Sequence, residues 1–205
     1  LHQGVKVLQG NRFAKSEAAH IAKLIEYMQL DSVSTVADMG CGFGEISLAL
    51  SRIYPEAHFY LVNCNEFQLS KCPAGVRFSR MLSDMCHSTI PREGVDLVMY
   101  NYSLCHVDPA EALLEAARMA RPGAGLFVYD YQRIRGDNEL TQKHLAANFM
   151  SDLEFRTNAL LTGWSDIETL PVDGDDTLFR VAMGDDVLYD AMFDDLHPVI
   201  WRARR

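Results

Sequence analysis

Apolar residues follow two rhythms along this chain of 205 residues. Between Asn11 and Leu30, Ala19, Ile21, Ala22, Leu24, Ile25 and Met28 recur at helical spacing. Ser16 is placed to cap that run, which predicts a first helix. Short, nearly continuous apolar runs then alternate with amphipathic ones. Strands are predicted at Ser34–Met39, His58–Val62, Val76–Leu82, Val95–Asn101 and Gly125–Tyr129. The intervening helices run from a glycine-rich turn to Ile53, over Glu66–Lys71 before Pro73, and from Asp108-Pro109 to Ala120. Arg121-Pro122-Gly123 ends the last of these. Strands and helices alternating across short connections predict an α/β fold with a doubly wound parallel sheet. Beyond Asp130 the pattern predicts helices over Leu140–Met150 and Asp152–Leu161 and a strand over Asp166–Leu170. An acidic insertion follows, Asp173–Asp195, helical over Leu178–Phe193, and then a last strand, Pro198–Arg202.

Length and charge narrow the picture. A chain of this size buries one substantial core, so one domain is expected. The net charge of -9 argues against a nucleic-acid binder, which needs a basic face to displace counterions. The arginines of Trp201-Arg202-Ala203-Arg204-Arg205 read as a solvated tail. Cysteines 41, 64, 72, 86 and 105 are odd in number and form no C-x-x-C pair. Reduced thiols in a cytoplasmic protein are therefore expected, with no disulfide framework and no metal site. No signal peptide opens the chain and no apolar run reaches membrane-spanning length, so no membrane partner is expected.

The candidate chemistry centres on Val36-Ala37-Asp38-Met39-Gly40-Cys41-Gly42-Phe43-Gly44-Glu45. An apolar strand ends in a carboxylate, glycine recurs at every second position, and a helix follows. Such a turn lets backbone amides approach a ligand at the carboxyl edge of a parallel sheet. The spacing resembles the D-x-G-x-G-x-G motif of class I S-adenosylmethionine (SAM) dependent methyltransferases. Glu45 stands where the dinucleotide fingerprint places its third glycine, and Asn63 where nicotinamide enzymes place a carboxylate. A nicotinamide-dependent oxidoreductase is therefore disfavoured. Arg121-Pro122-Gly123-Ala124-Gly125-Leu126 also resembles a turn common in the methyltransferase family, and the likeness spans roughly residues 30–130.

That resemblance implies a mostly parallel, seven-stranded Rossmann-like sheet closed by an antiparallel last strand, with helices on both faces. It implies SAM as cofactor and a division into an N-terminal helix or lid (1–30), a cofactor-binding core (31–130) and an acceptor lid with the last strands (131–205). Asp38, Gly40, Cys41, Gly42 and Gly44 would cradle the methionine moiety. Asn63, Cys64, Asn65 and Gln68 would take the ribose, with an amide in the usual acidic place; Asp84 and Met85 would hold the adenine. Asn101 would lie beside the sulfonium, and Arg12 and Phe13 would fold over the cofactor. Asn63-Cys64-Asn65-Glu66-Phe67-Gln68 and Ser103-Leu104-Cys105-His106-Val107-Asp108 further resemble segments of sterol C-methyltransferases and their small-molecule relatives. The chain departs from that branch at Tyr102, where a glutamate suited to carbocation chemistry is replaced. His106, an imidazole past the end of strand 4, is the candidate general base. Tyr102, with Tyr100, Tyr129 and Tyr131, is a candidate to face the acceptor or the sulfonium. The expected activity is methyl transfer to a small-molecule acceptor by in-line displacement, with a homodimer left open. The rivals are a non-methylating SAM-binding relative, such as a cyclase, and a partner-binding subunit with a decayed pocket.

Overall fold

The computed structural model describes residues 21–28, 30, 32–172 and 186–205. Seven strands form one sheet in the order β3-β2-β1-β4-β5-β7-β6. They are β1 (Thr35–Met39), β2 (His58–Asn63), β3 (Phe78–Leu82), β4 (Val95–Asn101), β5 (Ala120–Arg133), β6 (Ser165–Pro171) and β7 (Leu196–Arg204). Strands β1 to β5 pair in parallel, and β7 runs antiparallel between β5 and β6. This is the class I methyltransferase topology that the resemblance implied. The helices are α1 (21–28), α2 (Glu45–Ile53), α3 (Glu66–Lys71), α4 (Pro109–Met119), α5 (Glu139–Leu145), α6 (Asp152–Leu161) and α7 (Asp186–Phe193). No helix among the described residues is long and apolar enough to cross a membrane.

The sheet is apolar on both faces because successive side chains on each strand serve opposite layers. Leu126 and Val128 of β5 join one core with Leu113 and Ala116 of α4, Phe155 of α6, Trp164 and Trp201. Phe127 and Tyr129 join the other, with Leu24 and Met28 of α1, Leu50 of α2 and Leu69 of α3. Phe155 stacks on Trp201 at 4.4 Å, and the indole of Trp201 donates to Asp152 Oδ1 at 3.0 Å. A third cluster closes the carboxyl end of β5: Tyr131, Phe149, Tyr189, Met192, Phe193 and Leu196.

Several predicted boundaries are corrected. The Trp201–Arg205 stretch is no solvated tail: Trp201 and Ala203 are buried, and β7 carries the chain between two other strands. Strand β3 starts at Phe78, since Val76 is 98% exposed. Strand β5 absorbs Arg121–Ala124 as an irregularity, with Ala120 paired to Val95 and Gly125 to Leu97. The helix predicted over Leu140–Met150 stops at Leu145. Ala146 turns left-handed (φ 50), and the Asn138 amide grips both the N–H and the carbonyl of Phe149, drawing the chain back over β5. Residues 1–20, including Ser16, and 173–185 lie outside the described residues; α7 occupies the end of the predicted Leu178–Phe193 helix.

Capping side chains set where the helices start. Asp108 accepts from the N–H groups of Ala110 and Glu111, with Pro109 in the first turn of α4. Ser151 and Glu154 form a reciprocal capping box at α6. Ser151→Ala is expected to lower stability by about 1 kcal/mol in a denaturant titration.

Candidate functional site

Strand order reverses between β1 and β4, and in open α/β sheets ligands bind in the crevice at that switch point. The glycine turn opens there. Gly40, Gly42 and Gly44 all have positive φ (74, 58 and 72), which glycine adopts without steric cost. Gly40 is also tightly enclosed. A Cβ built on it would lie 2.5 Å from Ser103 Cβ and 3.1 Å from Met85 Cε. Ser103 cannot swing clear, because its hydroxyl donates to the Met39 carbonyl at 2.6 Å.

The turn is held from three sides. Asp38, 3% exposed, accepts a hydrogen bond from Ser47 at 2.6 Å, tying the end of β1 to α2. Burial pushes the Asp38 carboxyl up to about 7, against the opposing pull of the Ser47 hydroxyl. Asn63, 7% exposed, donates to the Gly42 carbonyl at 3.1 Å and to Gln68 Oε1 at 3.0 Å, and accepts from the Asn65 N–H at 2.9 Å. Both its amide protons are used within the protein, so it braces the turn against α3, which an acceptor-only carboxylate could not do. Asn65 caps α3 by accepting from the Gln68 N–H. Cys72 donates to the same Gly42 carbonyl at 3.3 Å.

Asn101 stands at the end of β4. Its Oδ1 and Nδ2 are both buried and have no hydrogen-bond partner among the described residues. A buried primary amide with nothing to bond costs free energy that a bonding partner would recover. Next to it Tyr102 adopts φ 51, an unusual backbone for a bulky residue. Its phenol donates to the Tyr129 hydroxyl at 2.6 Å, and its ring tilts against those of Tyr129 and Tyr131. Burial pushes the Tyr129 phenol up to about 12 and holds that of Tyr102 well above its ordinary range, so both stay protonated. Tyr100 belongs to the opposite core, its hydroxyl on the Ala112 carbonyl. Buried Asp130, also pushed up to about 7 by burial, accepts from the N–H groups of Cys105 and Tyr131 and pins the segment after β4 to β5.

The predicted residues therefore divide. Asp38, Gly40, Cys41, Gly42, Gly44, Asn63, Asn65, Gln68, Met85 and Asn101 surround or brace the turn. Asp84 is exposed beyond β3 and accepts from the Cys86 N–H in a local turn. Cys64 is exposed, and Arg12 and Phe13 lie outside the described residues. His106 is exposed and faces elsewhere. It lines a cavity of about 510 Å³ with Asp108, Asn138, Gln142, Asn148 and Glu154, and none of the turn residues reaches that cavity. Its Nδ1 meets the Ala146 carbonyl at 3.1 Å; a carbonyl only accepts, so Nδ1 is the donor. No His, Cys, Asp or Glu group among the described residues is arranged to hold a metal ion. Ser47 and Ser103, which fix Asp38 and Gly40, carry no sequence signal of their own.

Residues 37–128 match the family described as "Methyltransferase domain". The family uses SAM. No curated protein matches the sequence. Among solved structures, the chain is similar to geranyl diphosphate C-methyltransferase from Streptomyces coelicolor A3(2) at TM-score 0.79 and 15% identity, covering 92% of this chain and 77% of that one. It is similar to phosphoethanolamine N-methyltransferase 2 of Haemonchus contortus at TM-score 0.76 and 12% identity, covering 91% and 52%. The [4+2]-cyclase SpnF is similar at TM-score 0.77 and 17% identity, covering 91% and 80%. At these identities the likeness concerns the fold.

Proposed function

We propose that the protein transfers the methyl group of SAM to a small-molecule acceptor. The observation that carries this reading is the buried, unpartnered Asn101 amide beside an enclosed three-glycine turn at the switch point of the sheet. These residues fit the cofactor's chemistry. The glycines of the turn leave room for an amino-acid moiety, while the N–H groups of Gly40, Cys41 and Gly44 hold the turn itself by bonding to the Val62 and Cys41 carbonyls. Asp38 offers a carboxylate to its ammonium, and Asn101 offers a donor and an acceptor. Met85 flanks the turn, and Asp84 is within the same loop for an adenine amino group. When bound, SAM supplies an already activated methyl group, so little chemistry is asked of the protein beyond alignment.

The acceptor would enter over β4 and β5, where Tyr102, Tyr129 and Tyr131 meet the third apolar cluster. Helices α5 and α7 pack on that side and would serve as its lid. The surroundings suit an acceptor with an apolar or aromatic body. The tyrosines orient it and exclude water; their phenols, held protonated, are poor bases. His106, facing its own cavity, is expected to leave cofactor affinity alone: His106→Ala should bind SAM within about twofold of the parent by calorimetry.

Asn101→Leu tests the reading. Removing an unsatisfied buried amide is expected to stabilise the cofactor-free protein by about 1 kcal/mol and to weaken SAM binding at least about tenfold. Unchanged affinity in calorimetry would sink the site. SAM binding without methylated product across an acceptor panel would favour a non-methylating role for the same pocket.

A further inference from the structure

Two thiols far apart in sequence meet at the glycine turn. Cys41 lies between Gly40 and Gly42, and Cys72 follows the last residue of α3; their sulfurs are 3.8 Å apart. Cys41 is half-buried, so a small oxidant reaches it, whereas Cys72 is buried beneath it. The segment carrying Cys72 is fixed. Arg80 donates to the carbonyls of Ser70, Cys72 and Pro73, and Pro73 packs so closely that a Cβ on Gly44 would lie 2.8 Å from its Cδ.

We infer that Cys41 and Cys72 are an oxidative modification site: hydrogen peroxide converts them to a disulfide that closes the cofactor site reversibly. The pair is chemically asymmetric. The hydrogen bond from the Cys41 thiol, helped by nearby Arg80, holds the Cys72 thiol below its ordinary range; the same bond, with burial and Asp38, holds Cys41 above its own. Cys41, the accessible sulfur, first gives its proton to water; its thiolate, a minor fraction that makes this the slow step, attacks one peroxide oxygen and the O–O bond breaks. The products are a Cys41 sulfenic acid and water, which carries away the thiol proton. Cys72, the more acidic thiol at contact distance, then attacks the Cys41 sulfur. The S–O bond breaks, and the departing hydroxide leaves with the Cys72 proton as a second water. Two thiols are oxidised and one peroxide is reduced, with no other reactant.

The consequence follows from what the sulfurs hold. A disulfide needs a sulfur separation of about 2.0 Å, so the two must close by roughly 1.8 Å. The Cys72 side is clamped by Arg80, so the glycine turn gives way. Oxidation also removes the Cys72 donor to the Gly42 carbonyl, the group that Asn63 braces from the other side. Closure of the site rests on the cofactor proposed above; formation of the bond does not.

The 205-residue protein is treated with a small molar excess of hydrogen peroxide, then split between peptide mapping without reductant and calorimetry with S-adenosylhomocysteine. The expected result is a Cys41–Cys72 linked peptide 2 Da lighter than the two free thiols. Affinity is expected to fall at least tenfold and to return with dithiothreitol. In Cys72→Ser the ratio of affinities before and after peroxide should be near one. No linked peptide, or a linked protein that binds as tightly as the reduced one, overturns the inference. Failure of the reduced protein to bind S-adenosylhomocysteine overturns the proposed cofactor, and with it the closure of the site; the linked peptide still decides the disulfide on its own.

Discussion

Gly40→Ala is expected to abolish measurable SAM binding, a loss of at least about a hundredfold, and to cost the protein about 3 kcal/mol of stability. Two effects add. An L-residue at φ 74 carries a backbone strain of about 1–2 kcal/mol. The added methyl would also stand 2.5 Å from Ser103 Cβ, with Met85 closing the other side at 3.1 Å. Relieving that contact means breaking the Ser103 bond to the Met39 carbonyl or shifting the ends of β1 and β4, and overpacking of this kind costs about 1–3 kcal/mol. The same movement displaces the turn and Asn101 together. Gly123→Ala separates the two effects. Gly123 also has positive φ (83), but a Cβ there meets nothing within 4 Å. It should lose only the backbone strain, about 1 kcal/mol, with SAM affinity intact. Equal losses in both variants, by urea unfolding and calorimetry, would show that enclosure by Ser103 and Met85 contributes nothing.

The parallel half of the fold was legible because its strands are buried on both faces and so read as continuous apolar runs. The glycine turn was legible because its geometry excludes other residues. Beyond β5 the misread boundaries have local causes that composition does not report. Ala146 in a left-handed conformation ends α5, and the grip of Asn138 on Phe149 lies eleven residues away in sequence. The arginine-rich end looked solvated by its charges, yet Trp201 and Ala203 alternate with Arg202 and Arg204, the period of a strand. The site shows the same division. Asn63 was readable as a residue at the end of β2 but not as a brace, since its partner Gly42 lies 21 positions away. The unpartnered state of Asn101 is a property of its surroundings, and no sequence pattern encodes it. His106 was identified by residue type; its direction is set by the Ala146 carbonyl, 40 positions on.

Asp38 should make both stability and cofactor affinity depend on pH, in opposite senses. Its carboxyl is raised from the ordinary 3.8 to about 7, chiefly by burial. The folded state therefore holds the proton more tightly than the unfolded state. Between roughly pH 4 and 7 folding takes up a proton, so stability declines as pH rises through that window and levels off above it. At about 1.36 kcal/mol per unit the full shift is worth at most about 4 kcal/mol. Relaxation of the buried site reduces the expected effect to about 2 kcal/mol. Asp130 adds a second slope of the same sign, present in parent and variant alike. Asp38→Asn keeps an oxygen for the Ser47 hydroxyl and removes the charge. Without cofactor at pH 8, Asp38→Asn should therefore be more stable than the parent by about 2 kcal/mol, a rise in Tm of about 4–8 °C. The cofactor reverses the preference. Its ammonium favours the ionised carboxylate, so parent affinity should rise about tenfold per pH unit from pH 5.5 and level off near 7. In Asp38→Asn affinity should be weaker at pH 8 by at least about tenfold and nearly flat with pH. On the proposed function, the charge that binding would use is one the empty fold is strained to hold, and that use would account for a carboxylate buried where an amide would be more stable. Parent affinity that stays level from pH 5.5 to 8, measured by calorimetry, would leave Asp38 as an anchor for Ser47 alone.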